Sequence, residues 1–98
     1  MRRGTTPTLV FTPSRDLSDY ARVILTLRNK GKNIDLEGER LQFSEGSFSV
    51  TLTQEETLAL AGETEAQVRA ITSDEVAIAS DIVRIDVDRI LKDGVIEV

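Results

Sequence analysis

The stretch SFSVTLTQEETLALAG, residues 47–62, holds two local signals back to back. Phe48, Val50 and Leu52 alternate with Ser47, Ser49 and Thr51. A period of two marks a strand with one face buried. Thr53 and Glu56 then stand in the S/T-x-x-E relation of a capping box: the Thr hydroxyl accepts from the Glu56 amide, and the Glu carboxylate reaches back to the Thr53 amide. Glu55 and Glu56 fall in the first turn, where the helix dipole favours negative charge. Gly62 suits the left-handed position just past a helix end. The spacing therefore predicts a strand running straight into about two turns of helix, near 54–61, that then stop.

Upstream, Thr8–Thr12 (TLVFT) reads as a short strand with Leu9 and Phe11 on one face. Pro7 and Pro13 bracket it, as residues that cannot donate to a ladder must. Residues 1–7 read as a disordered tail. Ser14–Asp19 reads as a loop whose Ser and Asp side chains bond nearby backbone. Tyr20–Arg28 (YARVILTLR) is the clearest strand: Val23, Leu25 and Leu27 share one face, Arg22, Thr26 and Arg28 the other, with Ile24 out of phase. Asn29-Lys30-Gly31 predicts a three-residue hairpin loop with Gly left-handed. Ile34 and Leu36 alternate in the returning strand, Gly38 interrupts it, and Leu41 and Phe43 mark another. Glu45-Gly46 turns the chain into the Phe48–Leu52 strand.

Downstream, Ala66–Thr72 (AQVRAIT) reads as a strand with Ala66, Val68 and Ala70 inward and Ile71 out of phase. Ser73-Asp74-Glu75 turns, Val76–Ala79 is brief and apolar, and Ile82–Val87 sets Val83, Ile85 and Val87 against Arg84 and Asp86. Asp93-Gly94 is a further turn signal. About seven to eight short, evenly spaced strands, one short helical turn and no crossover helix predict an all-β antiparallel β-sandwich, Ig-like in the broad sense. Residues 1–98 are expected to form a single domain.

Of the 98 residues, 40% are apolar and 30% charged, a globular composition. Phe11, Tyr20, Phe43 and Phe48 are the aromatic complement, so the core falls to Val, Ile, Leu and Ala. Tyr20 is expected to cover the core at a strand start. A net charge of -5 with scattered cations argues against nucleic acid as a partner, since phosphate contacts need clustered Lys or Arg. No apolar run is long enough for a membrane helix, and no membrane partner is expected. Without Cys there is no disulfide to demand an oxidising compartment.

His and Cys are both absent, which removes the commonest general base, the thiolate nucleophile and most zinc ligand sets. Neither a G-x-S-x-G elbow nor a Gly-rich phosphate loop occurs. The 17 acids sit at a helix start, in turns and at outward strand positions, where solvated charge explains them. Asp81, Asp86 and Asp88 invite a calcium reading, but Arg84 and Arg89 lie among them, and charge pairing across strands is the expectation. No catalytic residue, cofactor or metal is expected. For association the notable residues are Ile90, Leu91, Val95, Ile96 and Val98, at the chain end beyond the last clear strand. They either pack back on their own domain or meet another chain, by adding a strand to an open edge.

GTTPTLVFT (4–12), VTLTQEETLALA (50–61), AQVRAIT (66–72) with AIAS (77–80), and RILKDGVIEV (89–98) together resemble small virion proteins of prophages in clostridia-type Gram-positive bacteria. The likeness covers nearly the whole chain. In pattern the chain is also similar to the N-terminal domain of upper baseplate proteins of lactococcal-type siphophages, which is a β-sandwich. It departs at one turn, where Asp74-Glu75 replaces the usual Asp-Gly. The resemblance implies a non-enzymatic part of a phage tail or baseplate, made in the bacterial host cytoplasm and housed in the virion. Its partners would be other tail or baseplate proteins or further copies of itself. The alternative is a carbohydrate- or cell-surface-binding module, since sandwiches often present loops to ligands; the absence of Trp weighs against it. A small carboxylate enzyme is the remotest reading.

Overall fold

Residues 47–52 alternate in the folded chain as they do in the sequence: Phe48, Val50 and Leu52 are buried, while Ser49 and Thr51 look outward. A computed structural model describes residues 1–98. The strands are β1 (Thr8–Phe11), β2 (Arg22–Asn29), β3 (Lys32–Glu37), β4 (Gln42–Ser44), β5 (Ser47–Thr51), β6 (Gly62–Ile71), β7 (Ala77–Ala79) and β8 (Val83–Val87). One short helix, α1 (Gln54–Leu58), follows β5, and a 3-10 turn spans Gly38–Arg40.

Two antiparallel sheets form the sandwich. The smaller has the order β1-β5-β4; the larger runs β3-β2-β6, with β7 and β8 also on β6. Leu25, Leu27, Ala66, Val68 and Ala70 from the larger sheet meet Phe48 and Val50 from the smaller, with Leu52 and Leu60 closing the end beside α1. The Val23-Leu25-Leu27 face is buried as the alternation requires. Phe11, Phe48 and Phe43 stand in register across β1, β5 and β4, their rings 5.3 and 5.4 Å apart, so three of the four aromatics bind the small sheet into one row. Tyr20 packs against the core, and Leu17, inside the expected loop, belongs to it.

The β2–β3 loop is two residues long, not three. Asn29 pairs with Lys32, and Lys30 and Gly31 both take positive φ, 52° and 78°. Two left-handed residues match the twist of a hairpin. Asn29 stays in the strand because its buried amide donates to the carbonyls of Ala61 and Glu63 and to Thr64 Oγ1. Glu45 and Gly46 make the same kind of turn between β4 and β5. After β6, Glu75 takes the left-handed conformation, φ 65°, at the turn that lacks Gly.

Helix α1 is shorter than expected, and β6 longer. The capping box is present in both directions, with Thr53 N donating to Glu56 Oε1 at 2.8 Å and Glu56 N to Thr53 Oγ1 at 3.1 Å. The chain leaves the helix at Ala59 and enters β6 at Gly62, φ 72°, because β8 offers a ladder that reaches Gly62↔Val87. β7 and β8 lie along one edge of β6. From Arg69↔Ala79 to Ala66↔Val83, β6 advances three residues while its partner advances four, so a bulge falls at Ser80–Ile82. Ser80 closes it: its amide donates to Val68 O at 2.8 Å, and its hydroxyl oxygen accepts from Val68 N at 3.0 Å. The extra residue carries the inward phase from Ile78 to Val83, Ile85 and Val87.

The first seven residues do not trail away. Arg2 bridges Asp88 in parallel, Asp88 N donates to Met1 O at 2.6 Å, and Arg3 N donates to Asp88 O at 3.0 Å. The N-terminus thus extends the edge beyond β8, where bare backbone groups would otherwise need water.

Candidate functional site

The C-terminal residues singled out from the sequence divide into two groups. Ile90 is half-buried; a Cβ placed on Gly4 would sit 3.0 Å from Ile90 Cδ1 and 3.3 Å from Leu58 Cδ2. Gly4, with φ 71°, leaves that space free, so Ile90 packs on its own domain. Leu91, Val95, Ile96 and Val98 do not: Leu91 is 96% exposed and Ile96 71%. Own-domain packing accounts for one of the five.

These exposed side chains sit on a backbone that is held at two places. The Arg3 guanidinium is a hub, with Nε donating to Leu60 O at 3.0 Å, one terminal nitrogen to Leu58 O at 2.7 Å, and the other 3.2 Å from the Asp93 carboxylate. Arginine here satisfies carbonyls at the end of α1 that have no partner within the helix. At the other end of the helix, Gln54 forks onto Ile96: Ile96 N donates to Gln54 Oε1 at 2.8 Å, and Gln54 Nε2 to Ile96 O at 3.0 Å. The side-chain amide does for Ile96 what a neighbouring strand would. The tail is thereby laid along α1 with its aliphatic side chains facing water.

Helix α1 is anchored in turn. Thr57 is fully buried and its hydroxyl donates to Thr5 O at 2.8 Å. Glu56 accepts from Arg40 through both oxygens, at 2.7 and 3.0 Å, as well as from Thr53 N. The Arg40 guanidinium holds the Glu56 carboxyl below its ordinary value; desolvation opposes it, and the Thr53 backbone bond adds to the lowering. Arg40 is held up in return. Glu56 is therefore a carboxylate that accepts three hydrogen bonds, two at Oε1 and one at Oε2.

A second surface feature lies where the sandwich opens. A groove of about 680 Å³ runs between β1 and the β7–β8 edge, floored by Leu9, Phe11, Val68, Val83 and Ile85 with Asp81 at its rim. The bulge aims Val83 at this groove, which is why Val83 stays half in solvent. Arg84 pairs across strands with Glu63 at 3.1 Å and approaches Glu65 at 4.0 Å, whereas Asp81, Asp86 and Asp88, for which cross-strand pairing is the sequence expectation, and Arg89 beside them are in no ion pair. No group of three or more His, Cys, Asp or Glu gathers as a metal site would require. No helix is long and apolar enough to cross a membrane.

Comparison with protein-family models, with curated proteins and with solved structures found no match for this chain. Sequence reasoning located the exposed tail but missed what holds it. Arg3 and Gly4 fell within the presumed loose end, and no local pattern ties them to residues near 58, 90 and 93. Gln54 reads as an ordinary helix-start residue; its partner lies 42 positions away.

Proposed function

We propose that this chain is a non-enzymatic assembly module, a structural component of a phage or prophage tail or baseplate that works through protein–protein contacts. The observation that carries the assembly reading is the tail: Leu91, Val95, Ile96 and Val98 are exposed on a backbone clamped by Arg3 and Gln54. A free end would lose conformational entropy on binding, whereas one held at Asp93 and Ile96 has lost part of it beforehand. Four aliphatic side chains held out in this way support a docking surface. The placement in a virion rests on the sequence resemblance, and its partners would be other tail or baseplate proteins or further copies of the chain.

The test uses particles induced from the bacterium that encodes the protein. Mass spectrometry of purified virions should find the chain, and gold-labelled antibody should mark the tail. A Leu91→Asp/Ile96→Asp variant should keep its circular dichroism spectrum and fail to enter particles. Particles without the protein, or with the variant at the normal level, count against the proposal.

A further inference from the structure

We infer that copies of this chain associate head to tail, the acidic end of one sandwich meeting the basic end of the next. The inference rests on the assembly reading and specifies its geometry.

Strand register decides which charges share an end. Arg28 pairs with Glu65, and Asn29 reaches the carbonyls of Ala61 and Glu63, so the Lys30-Gly31 turn lies at the start of β6. Gly62 pairs with Val87 at that same end, Arg2 bridges Asp88, and Arg2 also donates to Arg89 O at 3.1 Å. Lys30, Lys32, Arg2 and Arg89 therefore gather there, all exposed and none in an ion pair. Asp86 and Asp88 share this end, and Glu63 and Glu65 flank Arg84 there; with exposed Arg28 beside Glu65, six cationic side chains stand against four carboxylates at this end of the larger sheet.

At the far end of β6, Ile71 pairs with Arg22 and Ala77, and Ala21 N donates to Ile71 O. Asp74 and Glu75 form the turn beyond it, Asp19 precedes Ala21, and Glu39 follows the end of β3. These four carboxylates are exposed and unpaired; Arg22 is neutralised by Glu37 at 3.0 Å, and Arg69, two residues before Ile71, is an unpaired cation beside them, which leaves the carboxylates in excess. Ten residues of β6 separate the two ends, roughly 30 Å. That is several Debye lengths at physiological salt, so the ends cannot neutralise each other within one molecule. Another molecule can do it. A two-fold pairing of like ends would bring like charges together and is disfavoured, whereas acidic-to-basic contact is complementary. Each end also carries an exposed aliphatic, Leu91 at 96% among the cations and Val76 at 58% beside Glu75. Repetition of this contact closes into a ring or runs on as a filament.

Sedimentation velocity on the full chain tests it. In dilute salt the protein should form concentration-dependent oligomers, weakened about tenfold or more when NaCl is raised to several hundred millimolar. Asp74→Lys/Glu75→Lys and Lys30→Glu/Lys32→Glu should each sediment as monomers, and an equimolar mixture of the two should associate again. If the first pair disturbs its turn, judged by circular dichroism, Asp19→Lys/Glu39→Lys replaces it. Oligomers that persist in each variant alone, or a mixture that stays monomeric, overturn the inference. A monomeric wild type that is nonetheless found in virions overturns head-to-tail contact and leaves the assembly reading standing. Self-association of a protein absent from virions does the reverse.

Discussion

Glu56→Gln removes one negative charge from the most heavily used carboxylate in the fold. In the wild type, Oε1 accepts from Thr53 N at 2.8 Å and from Arg40 at 2.7 Å, and Oε2 accepts from Arg40 at 3.0 Å. Glutamine can keep the Thr53 bond but has one acceptor oxygen for the Arg40 fork. Charge-assisted bonds contribute about 1.5–3 kcal/mol when shielded, and exposed ion pairs about 0–1 kcal/mol. The Glu56 side chain is 18% exposed and that of Arg40 41%, so screening brings the expected cost down to about 1–2 kcal/mol. For a domain of this size that lowers Tm by roughly 4–12 °C. The acid dependence carries a definite sign. The Glu56 carboxyl lies below its ordinary 4.5 in the folded chain, mainly through Arg40, so the unfolded chain takes up the proton first as pH falls. Stability from this group is complete above about pH 4.5 and is lost as pH falls through the lower folded value. Urea melts at pH 7 and about pH 2.5 should show a larger wild-type advantage in the first than in the second. An equal gap at both, or none at neutral pH, would refute the reasoning, and Arg40→Met should abolish most of the effect of Glu56→Gln.

Three further outcomes follow from individual side chains. Arg3→Met keeps the aliphatic stem but leaves the Leu58 and Leu60 carbonyls without their donor; the expected loss is about 1–3 kcal/mol by urea midpoint, with faster hydrogen exchange at Asp88 N. Asn29→Ala strips one donor group from three acceptors at Ala61, Glu63 and Thr64 and should cost about 1–3 kcal/mol, while Asn29→Asp should cost more because a carboxylate there faces carbonyls it cannot donate to. Val50→Asp buries an unpaired charge at a position 1% exposed and should leave a chain with collapsed amide dispersion in NMR; a dispersed spectrum would mean that the small sheet does not pack on the large one.

What could be read from the sequence was whatever depends on neighbours in the chain. The alternations at Val23–Leu27 and Phe48–Leu52, the capping box at Thr53 and Glu56, and the turn at Glu45-Gly46 each depend on residues a few positions apart. They lead to an antiparallel sandwich before any contact is known. The emptiness of the chain in His and Cys belongs to the same class. Elements whose limits are set by distant partners came out differently. The length of β6 depends on β8, the two-residue hairpin on an Asn29 amide tied to Ala61 and Glu63, and the bulge at Ser80–Ile82 on where Val68 offers its backbone.

The surface shows the same division. Composition alone named the aliphatic tail, since five large apolar residues past the last strand must face something. It could not say that Ile90 turns inward over Gly4, or that Arg3 and Gln54 hold the others outward. Nor could a net charge of -5, a single sum over the chain, reveal that Arg2, Lys30, Lys32 and Arg89 stand at one end of the larger sheet and Asp19, Glu39, Asp74 and Glu75 at the other. A local pattern records which way a residue faces on its own strand. Which residues stand beside it is settled only when strands far apart in sequence lie side by side, and the clamps, the groove and the two charged ends are all made of such neighbours.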